Sequence, residues 1–309
     1  MTGRKTIDDV PSQEVYLEAM RGYHLGGTLF GVSIELSDEY RECGRSYLLI
    51  VDFTERSARF HVLLQLENQM LSHISGSQDD HVLLEVGGLT HFLRGSSHTT
   101  ARAPEPFFHK LFRLPDGTLF TYGEDGCVCR FDGISWQPIP PLVSSFLRAM
   151  HGPSAELLHV AGNNGTLLRL QGDRWRQVPL DFNRSIEAIH VSPNGTVSIG
   201  CEDGICFEYR DNLLKEIKAP DSDFMSICDF KGARFWGDND FGVFVQDNHL
   251  LKEFRALGFA YAMQPSPDLL VVTGWKEIFV FDGNSWSGFE FGYDGQLYIQ
   301  VIDMSRRYL

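Results

Sequence analysis

The sequence lacks the short motifs that mark the common enzyme classes. It contains no P-loop, no Gly-x-Ser-x-Gly, no His-Glu-x-x-His, no Cys-x-x-Cys and no dinucleotide-binding fingerprint. No apolar run approaches the roughly 18 residues needed to span a bilayer, and the first nine residues lead into no apolar stretch. We therefore expect a cytoplasmic protein with no membrane segment, no cofactor and no enzymatic activity.

Basic residues are also scarce. The chain has 27 Lys and Arg against 41 Asp and Glu, a formal net charge of -14. The electrostatic field of this negative charge repels nucleic-acid phosphates and anionic lipids and attracts basic partners. The composition thus argues against binding to nucleic acid or membranes and favours a basic protein partner.

A regular series of glycines divides most of the chain. Gly123, Gly162, Gly200, Gly237 and Gly274 are separated by 39, 38, 37 and 37 residues. In the best-preserved copies, residues 123–136 align with residues 162–175 at a constant offset of 39. Short strands repeating at such a period are typical of a β-propeller.

Counting in both directions extends the series to seven units of about four strands each. The predicted fold is an all-β, seven-bladed β-propeller over residues 46–309. The strand-like segment Leu297–Asp303 has no partner left in its own unit, so we expect it to pair with the N-terminal segment and close the ring. Residues 1–45 are predicted to be an extension with a short helix at Ser12–Arg21 and a strand at Thr28–Leu36; an eighth partial blade is the alternative.

The pattern of Gly-x-x-Gly turns followed by Asp-Gly-x-x-Trp or Gly-Asp-x-Trp resembles bacterial β-propeller repeat proteins of the regulator and photosystem-assembly types. Asp132–Trp136, Gly172–Trp175 and Asp282–Trp286 carry this resemblance. It covers residues 46–309 and implies the propeller fold. The turns lack the complete sialidase Asp-box order, so sialidase chemistry is not implied.

We call each repeated glycine the marker glycine and the turn that follows it the marker turn. Acidic residues recur in the marker turns. Three blades have them at equivalent positions, which predicts carboxylates on one face that attract a basic partner. The alternative is that turns favour Asp and Asn for backbone reasons. The candidate residues are Glu124, Asp125, Glu202, Asp203, Asp238 and Asp240.

The five tryptophans fall into two groups. Trp136, Trp175 and Trp286 recur at one position of the repeat, which is typical of packing between blades. Trp236 and Trp275 flank marker glycines, so they are the tryptophan candidates for partner binding.

Two patterns suggest metal sites but are better explained by structure. Asp238–Gly242 resembles the start of a calcium loop, yet glycine occupies the fifth position and no glutamate closes the loop. Cys127 and Cys129 share one strand face, but no matching His or Cys pair accompanies them. We expect no metal.

The expected function is binding of a protein without catalysis. Acidic single-domain propellers of this kind are similar to immunity proteins that inhibit a bacterial toxin, for example a nuclease with a basic substrate-binding face. Two alternatives stay open: an assembly or scaffolding factor, and a propeller lyase or hydrolase acting on a sugar or lactone.

Overall fold

Turns at regular intervals divide the chain into short antiparallel strands. In the computed structural model, residues 6–40, 43–104 and 108–307 are described. They contain seven antiparallel sheets of four or five strands, and the fold is that of a seven-bladed β-propeller. None of the helices in these residues is long and apolar enough to cross a membrane.

The seven sheets are numbered as blades in chain order. Blades 1 and 2 comprise β1 (Tyr16–Gly26), β2 (Leu29–Ser37), β3 (Gly44–Thr54), β4 (Ser57–Leu66), β5 (Met70–Ser77), β6 (Asp80–Glu85), β7 (Leu89–Arg94) and β8 (Ser97–Arg102). Blades 3 and 4 comprise β9 (Phe108–Arg113), β10 (Leu119–Gly123), β11 (Val128–Phe131), β12 (Trp136–Ile139), β13 (Leu147–His151), β14 (His159–Gly162), β15 (Thr166–Gln171) and β16 (Arg174–Gln177).

The remaining three blades follow the same order. They comprise β17 (Ile186–Val191), β18 (Val197–Cys201), β19 (Cys206–Arg210), β20 (Leu213–Ile217), β21 (Phe224–Phe230), β22 (Ala233–Asp238), β23 (Gly242–Asp247), β24 (Leu250–Ala256), β25 (Ala262–Pro265), β26 (Leu270–Thr273), β27 (Glu277–Phe281), β28 (Trp286–Tyr293) and β29 (Leu297–Val301). Helical segments are short: 3-10 turns at Ile7–Asp9, Ser12–Glu14, Glu124–Gly126 and Ala155–Leu157, and α1 (Met304–Arg307).

The chain divides into two compact units. Unit 1 comprises Met1–Val86, His91–Thr99 and Gln264–Leu309, and unit 2 comprises Gly87–Thr90 and Thr100–Met263. Blade 1 and most of blades 2 and 7 belong to unit 1, whereas blades 3 to 6 belong to unit 2.

Apolar side chains between neighbouring blades form the core of each unit. In unit 1, Phe30 and Val32 of blade 1 pack with Val271 and Phe289 of blade 7. In unit 2, separate clusters join blade 3 to blade 4, blade 4 to blade 5 and blade 5 to blade 6. Burial of both faces of the inner strands explains why several of them consist almost wholly of apolar residues.

The predicted N-terminal extension is not separate from the sheets. Residues 16–37 form β1 and β2, and β2 pairs with β3 from Leu29–Asp52 to Ser37–Gly44. The expected helix at Ser12–Arg21 is wrong, because only Ser12–Glu14 forms a 3-10 turn and β1 begins at Tyr16. Strand pairing overrides a weak local preference here. The expected strand at Thr28–Leu36 is confirmed as β2.

The expected pairing of the two chain ends is also wrong. β29 lies beside β28, with Phe289 opposite Val301 and Tyr293 opposite Leu297, and so is the fifth strand of blade 7. The first and last blades instead meet through side-chain packing and a few bonds, such as Ala19 N to Trp275 O at 2.7 Å. A five-stranded blade gives Leu297–Val301 a partner without any strand from the N-terminal segment.

Candidate acidic face of unit 2

The marker turns of blades 3 to 6 lie against the loops that connect successive blades. Gly126 N donates to Ser145 O at 2.7 Å, Gly165 N to Arg184 O at 2.8 Å, and Gly204 N to Ser222 O at 2.9 Å. In blade 6, Asn239 N donates to Asp223 O at 3.1 Å. The marker turns and the interblade loops therefore share one side of unit 2.

Glycine is required in these turns for two reasons. Gly126, Gly165 and Gly204 have φ values of 69°, 64° and 70°, which disfavour residues with a side chain. A Cβ atom at Gly165 would also lie 2.2 Å from the carbonyl oxygen of Phe182. The spacing of the Gly-x-x-Gly motif thus reflects the approach of each turn to the following loop.

We call this surface the acidic face. It consists of the marker turns at 124–126, 163–165, 202–204 and 238–242 and the interblade loops at 140–146, 178–185, 218–223 and 257–261. These segments contain nine carboxylates and two cations, Arg184 and Lys218. The carboxylates are Glu124, Asp125, Asp181, Glu202, Asp203, Asp221, Asp223, Asp238 and Asp240.

Two of the predicted carboxylates in blades 3 and 5 have charged or titratable neighbours. Glu124 Oε1 lies 3.2 Å from His109 Nε2, and Asp203 forms an ion pair with Arg184. Asp125 is exposed and Glu202 is half-buried. Asp125 and Asp203 have φ values of 51° and 58°, a conformation in which Asp is tolerated better than most residues.

Asp238 has a structural role. It is fully buried, and its Oδ1 accepts hydrogen bonds from Phe241 N at 2.9 Å and Gly242 N at 2.6 Å. Ser222 Oγ donates to its Oδ2 at 2.7 Å. Asp240, two residues later, is exposed. Among the residues that the structure describes, no three His, Cys, Asp or Glu side chains are grouped to hold a metal ion.

An ion pair between the half-buried Arg148 and the buried Glu187 contacts the marker turn of blade 4. Arg148 Nε lies 3.2 Å from Glu187 Oε1 and donates to Asn163 Oδ1 at 2.5 Å, which connects β13 and β17 to the marker turn of blade 4. Burial raises the pKa of Glu187, and Arg148 opposes that shift. Lys110 opposes the shift as well, whereas the charges of Glu202 and Asp223 raise the pKa further.

The structure separates the two tryptophan candidates. Trp236 is completely buried; its Nε1 donates to Gln246 Oε1 at 3.1 Å and its ring meets Phe224 edge-on. It has no surface to offer a partner. Trp275 is 51% exposed but lies in the marker turn of blade 7, in unit 1.

Sequence reasoning missed the apolar part of the acidic face. Phe241 and Leu142 are 47% and 50% exposed within its turns and loops. Large apolar side chains beside carboxylates are typical of protein-binding surfaces. The available signal was an apolar residue inside a turn sequence, at Asp238–Gly242 and after Pro140-Pro141.

A polar cluster lies on β5 and β6 of unit 1. Ser75 Oγ lies 2.7 Å from both His73 Nε2 and His81 Nδ1. His81 Nε2 lies 3.0 Å from the Gln78 carbonyl, which requires a proton on that nitrogen. In the neutral ring His81 Nδ1 then accepts from the Ser75 hydroxyl, the arrangement of a nucleophile beside a base.

Comparisons with known proteins reveal similarity in structure only. No protein-family model matches the chain, and no curated protein sequence matches it. The structure is similar to the computationally designed Ika8 protein, with a TM-score of 0.65, 13% identity, and coverage of 92% of this chain and 96% of that one.

Two natural propellers are similar to a comparable degree. The WD40 β-propeller domain of Doa1 gives a TM-score of 0.68 at 11% identity, covering 84% of this chain and 90% of that one. YCF48 bound to D1 peptide gives 0.65 at 10% identity, covering 86% and 91%. These likenesses show the fold alone.

Proposed function

We propose that the chain is a protein-binding propeller that binds a basic protein through the acidic face of unit 2. The excess of carboxylates over cations on that face is the observation that carries the proposal. Carboxylates arranged around exposed apolar side chains provide both long-range attraction and a contact area that excludes water. The YCF48 structure contains a bound peptide, so one protein similar to this chain in fold binds a peptide.

The specific role we propose is that of an immunity protein in the bacterial cytoplasm. A toxin that cleaves nucleic acid has a basic substrate-binding face, and carboxylates replace phosphates there. Trp275 does not belong to the acidic face and has no part in this proposal.

The test compares two variants with the same net charge. The first replaces Asp125, Asp203 and Asp240 with Asn, which is compatible with the positive φ of the first two. The control replaces Asp173, Asp211 and Asp247, three exposed residues outside the acidic face, with Asn. Binding to a synthetic Lys- and Leu-containing peptide and to the catalytic domain of a toxin encoded next to the gene would be measured across a salt series.

We expect the first variant to lose about tenfold or more in association rate at low salt and to depend less steeply on salt. The control should retain the wild-type rate. Equal losses in both variants would mean that only net charge matters and would overturn the acidic face as a site. Binding to the peptide with no inhibition of the toxin would retain the protein-binding function and reject the immunity role.

An assembly factor is a second candidate, favoured by the likeness to the peptide-bound YCF48 structure. It predicts a stable complex between this chain and an endogenous protein that persists through gel filtration, with no effect on a toxin.

A hydrolase acting on a sugar or lactone is the third candidate, favoured by the pairing of Ser75 with His81. It predicts labelling of the wild type by a fluorophosphonate probe and no labelling of Ser75→Ala. Absence of labelling in the folded wild type removes the serine mechanism.

A further inference from the structure

A cavity of about 180 Å³ opens between blades 1 and 7 within unit 1. Its walls include the turns after β1 and β3, and the turn between β27 and β28. Nothing in the acidic face contributes to it, since all of its lining residues belong to unit 1. The cavity is therefore a separate candidate binding site.

The floor of the cavity is apolar. Phe30, Phe53 and Val280 are buried, and Leu269 adds a half-buried side chain. The rings of Phe30 and Phe53 meet edge-on with centroids 6.0 Å apart. For comparison, a closed apolar cavity of about 150 Å³ holds benzene. The space here suits one six-membered ring or a branched chain of similar size.

The rim of the cavity is negatively charged. Glu55 and Asp282 line it together with the hydroxyl groups of Thr54, Ser285 and Ser287, and no Lys, Arg or His occurs among the lining residues. Asp282 is held in place by its own turn, since its Oδ1 accepts from Asn284 N at 2.7 Å and Ser285 N at 2.8 Å. The hydroxyls supply further acceptors for a donor such as an ammonium group.

We propose that this cavity binds a small organic cation with a single apolar ring and a primary ammonium group. The ring would lie on the phenylalanine floor, and the ammonium would face Glu55 and Asp282 at the rim. An anion of the same shape is repelled by two carboxylates. A neutral alcohol of the same shape lacks the charge attraction.

Blade 3 supplies a matched control. Asp132 accepts from Ile134 N and Ser135 N, each at 2.8 Å, in the same type of turn as Asp282. Asp132 does not line the cavity. Asp132→Asn thus reproduces the structural cost of changing such a turn without changing the charge at the rim.

The experiment titrates the full chain with benzylammonium, benzyl alcohol and benzoate, using calorimetry and ligand-observed NMR. We expect benzylammonium to bind about tenfold or more tightly than benzyl alcohol, and benzoate not to bind. Glu55 lies in an exposed hairpin turn, so the Glu55→Gln variant should fold. It should reduce the preference for the cation over the alcohol by about threefold or more, and addition of Asp282→Asn should reduce it further.

Three results would overturn the proposal. The first is no binding of benzylammonium to the wild type, and the second is equal affinity for the cation and the alcohol. The third is a loss of affinity in Asp132→Asn equal to that in the rim variants. If the variant carrying Asp282→Asn fails to fold, Glu55→Gln alone decides between the outcomes. Failure here leaves the acidic face untouched, because the two sites share no residues.

Discussion

The backbone nitrogen of Gly165 donates a hydrogen bond to the carbonyl oxygen of Arg184, 2.8 Å away. Blades 3 and 5 repeat this bond from Gly126 to Ser145 and from Gly204 to Ser222. The contact fixes the marker turn against the loop that leads into the next blade. It makes the acidic face a consequence of how the blades are connected.

Gly165→Ala should destabilise the protein strongly. The substitution forces a positive φ on a residue with a side chain, and its Cβ would lie 2.2 Å from the carbonyl oxygen of Phe182. We expect a loss of about 2–4 kcal/mol in the free energy of unfolding, measured by urea denaturation.

Gly172→Ala is the control for this prediction. Gly172 has a similar φ of 61°, but a Cβ atom added there would have no atom within 4 Å beyond its own residue and its two chain neighbours. Only the backbone strain remains, so we expect a cost of about 1 kcal/mol. Equal costs at the two positions would contradict the role assigned to the contact with the interblade loop.

The repeat could be found from sequence because both glycines of the Gly-x-x-Gly motif meet constraints that exclude a side chain. A Cβ atom at Gly162 would lie 2.0 Å from the carbonyl oxygen of Phe146, and Gly165 combines a positive φ with its contact to Phe182. The repeat does not reveal the first two strands of blade 1, because β1 and β2 have no marker turn of the repeat type. Their pairing with β3 depends on residues distant in the chain.

The candidate site was predictable only in part. Charge recurs at equivalent turns, which placed Asp125 and Asp203 correctly in exposed turns. The sequence does not show which candidates are buried. Asp238 and Trp236 are of the same residue types as the exposed candidates, but both lie in the protein interior. Which side chain of a turn points inward depends on packing against the next blade, and a single sequence does not show that.

The recurrent tryptophans should matter for stability, whereas Trp275 should not. Trp175 is 3% exposed within the cluster that joins blades 3 and 4, and Trp275 is 51% exposed. We expect Trp175→Ala to lower the free energy of unfolding by about 3–5 kcal/mol and Trp275→Ala by less than about 1 kcal/mol. Thermal and urea unfolding followed by circular dichroism would check both. A large cost for Trp275→Ala would show that its contacts in unit 1 are structural.

The thiols should be nearly unreactive in the folded protein. Cys129 and Cys201 are buried, and burial raises the pKa of each to about 12. Burial also raises the pKa of Cys206, of Cys228 and of the half-buried Cys127. The thiolate is the reacting species, so at pH 8 we expect slow modification by a disulfide reagent when the protein is folded. All six cysteines should react rapidly in urea. Rapid reaction of two or more thiols in the folded state would contradict this packing.

Stability should fall as the pH decreases, because histidines in unit 2 are held neutral. Burial lowers the pKa of His190 to about 4 and that of His151 to about 3, and their rings pack at a tilt of 31° with centroids 4.4 Å apart. Asp229 and Arg234 adjoin this pair: Asp229 raises the pKa of His190 and Arg234 lowers it. Burial lowers the pKa of His159 as well.

The direction of this pH dependence is set by the unfolded chain, in which histidine titrates near a pKa of about 6.5. Below that pH the unfolded state binds protons that the folded state does not. Each such histidine therefore lowers the free energy of unfolding by about 1.4 kcal/mol per pH unit until its folded pKa is reached. Asp229 does not contribute in this window. Although burial raises its pKa, hydrogen bonds from Arg234 hold it below the usual 3.8.

His190→Phe isolates one of these histidines. The phenyl ring preserves the packing against His151 but binds no proton, and the contact of 3.6 Å between His190 Nε2 and Asp229 is lost. We compare the free energies of unfolding of variant and wild type at each pH. Between pH 7 and pH 5, we expect the difference to shift by about 2 kcal/mol in favour of the variant. Urea denaturation at several pH values measures this, with the exposed His249→Phe as the control. Because His249 is exposed and lies outside the His151–His190 pair, the control should keep the wild-type pH dependence. A parallel change in both variants would mean that His190 is not held neutral by its surroundings.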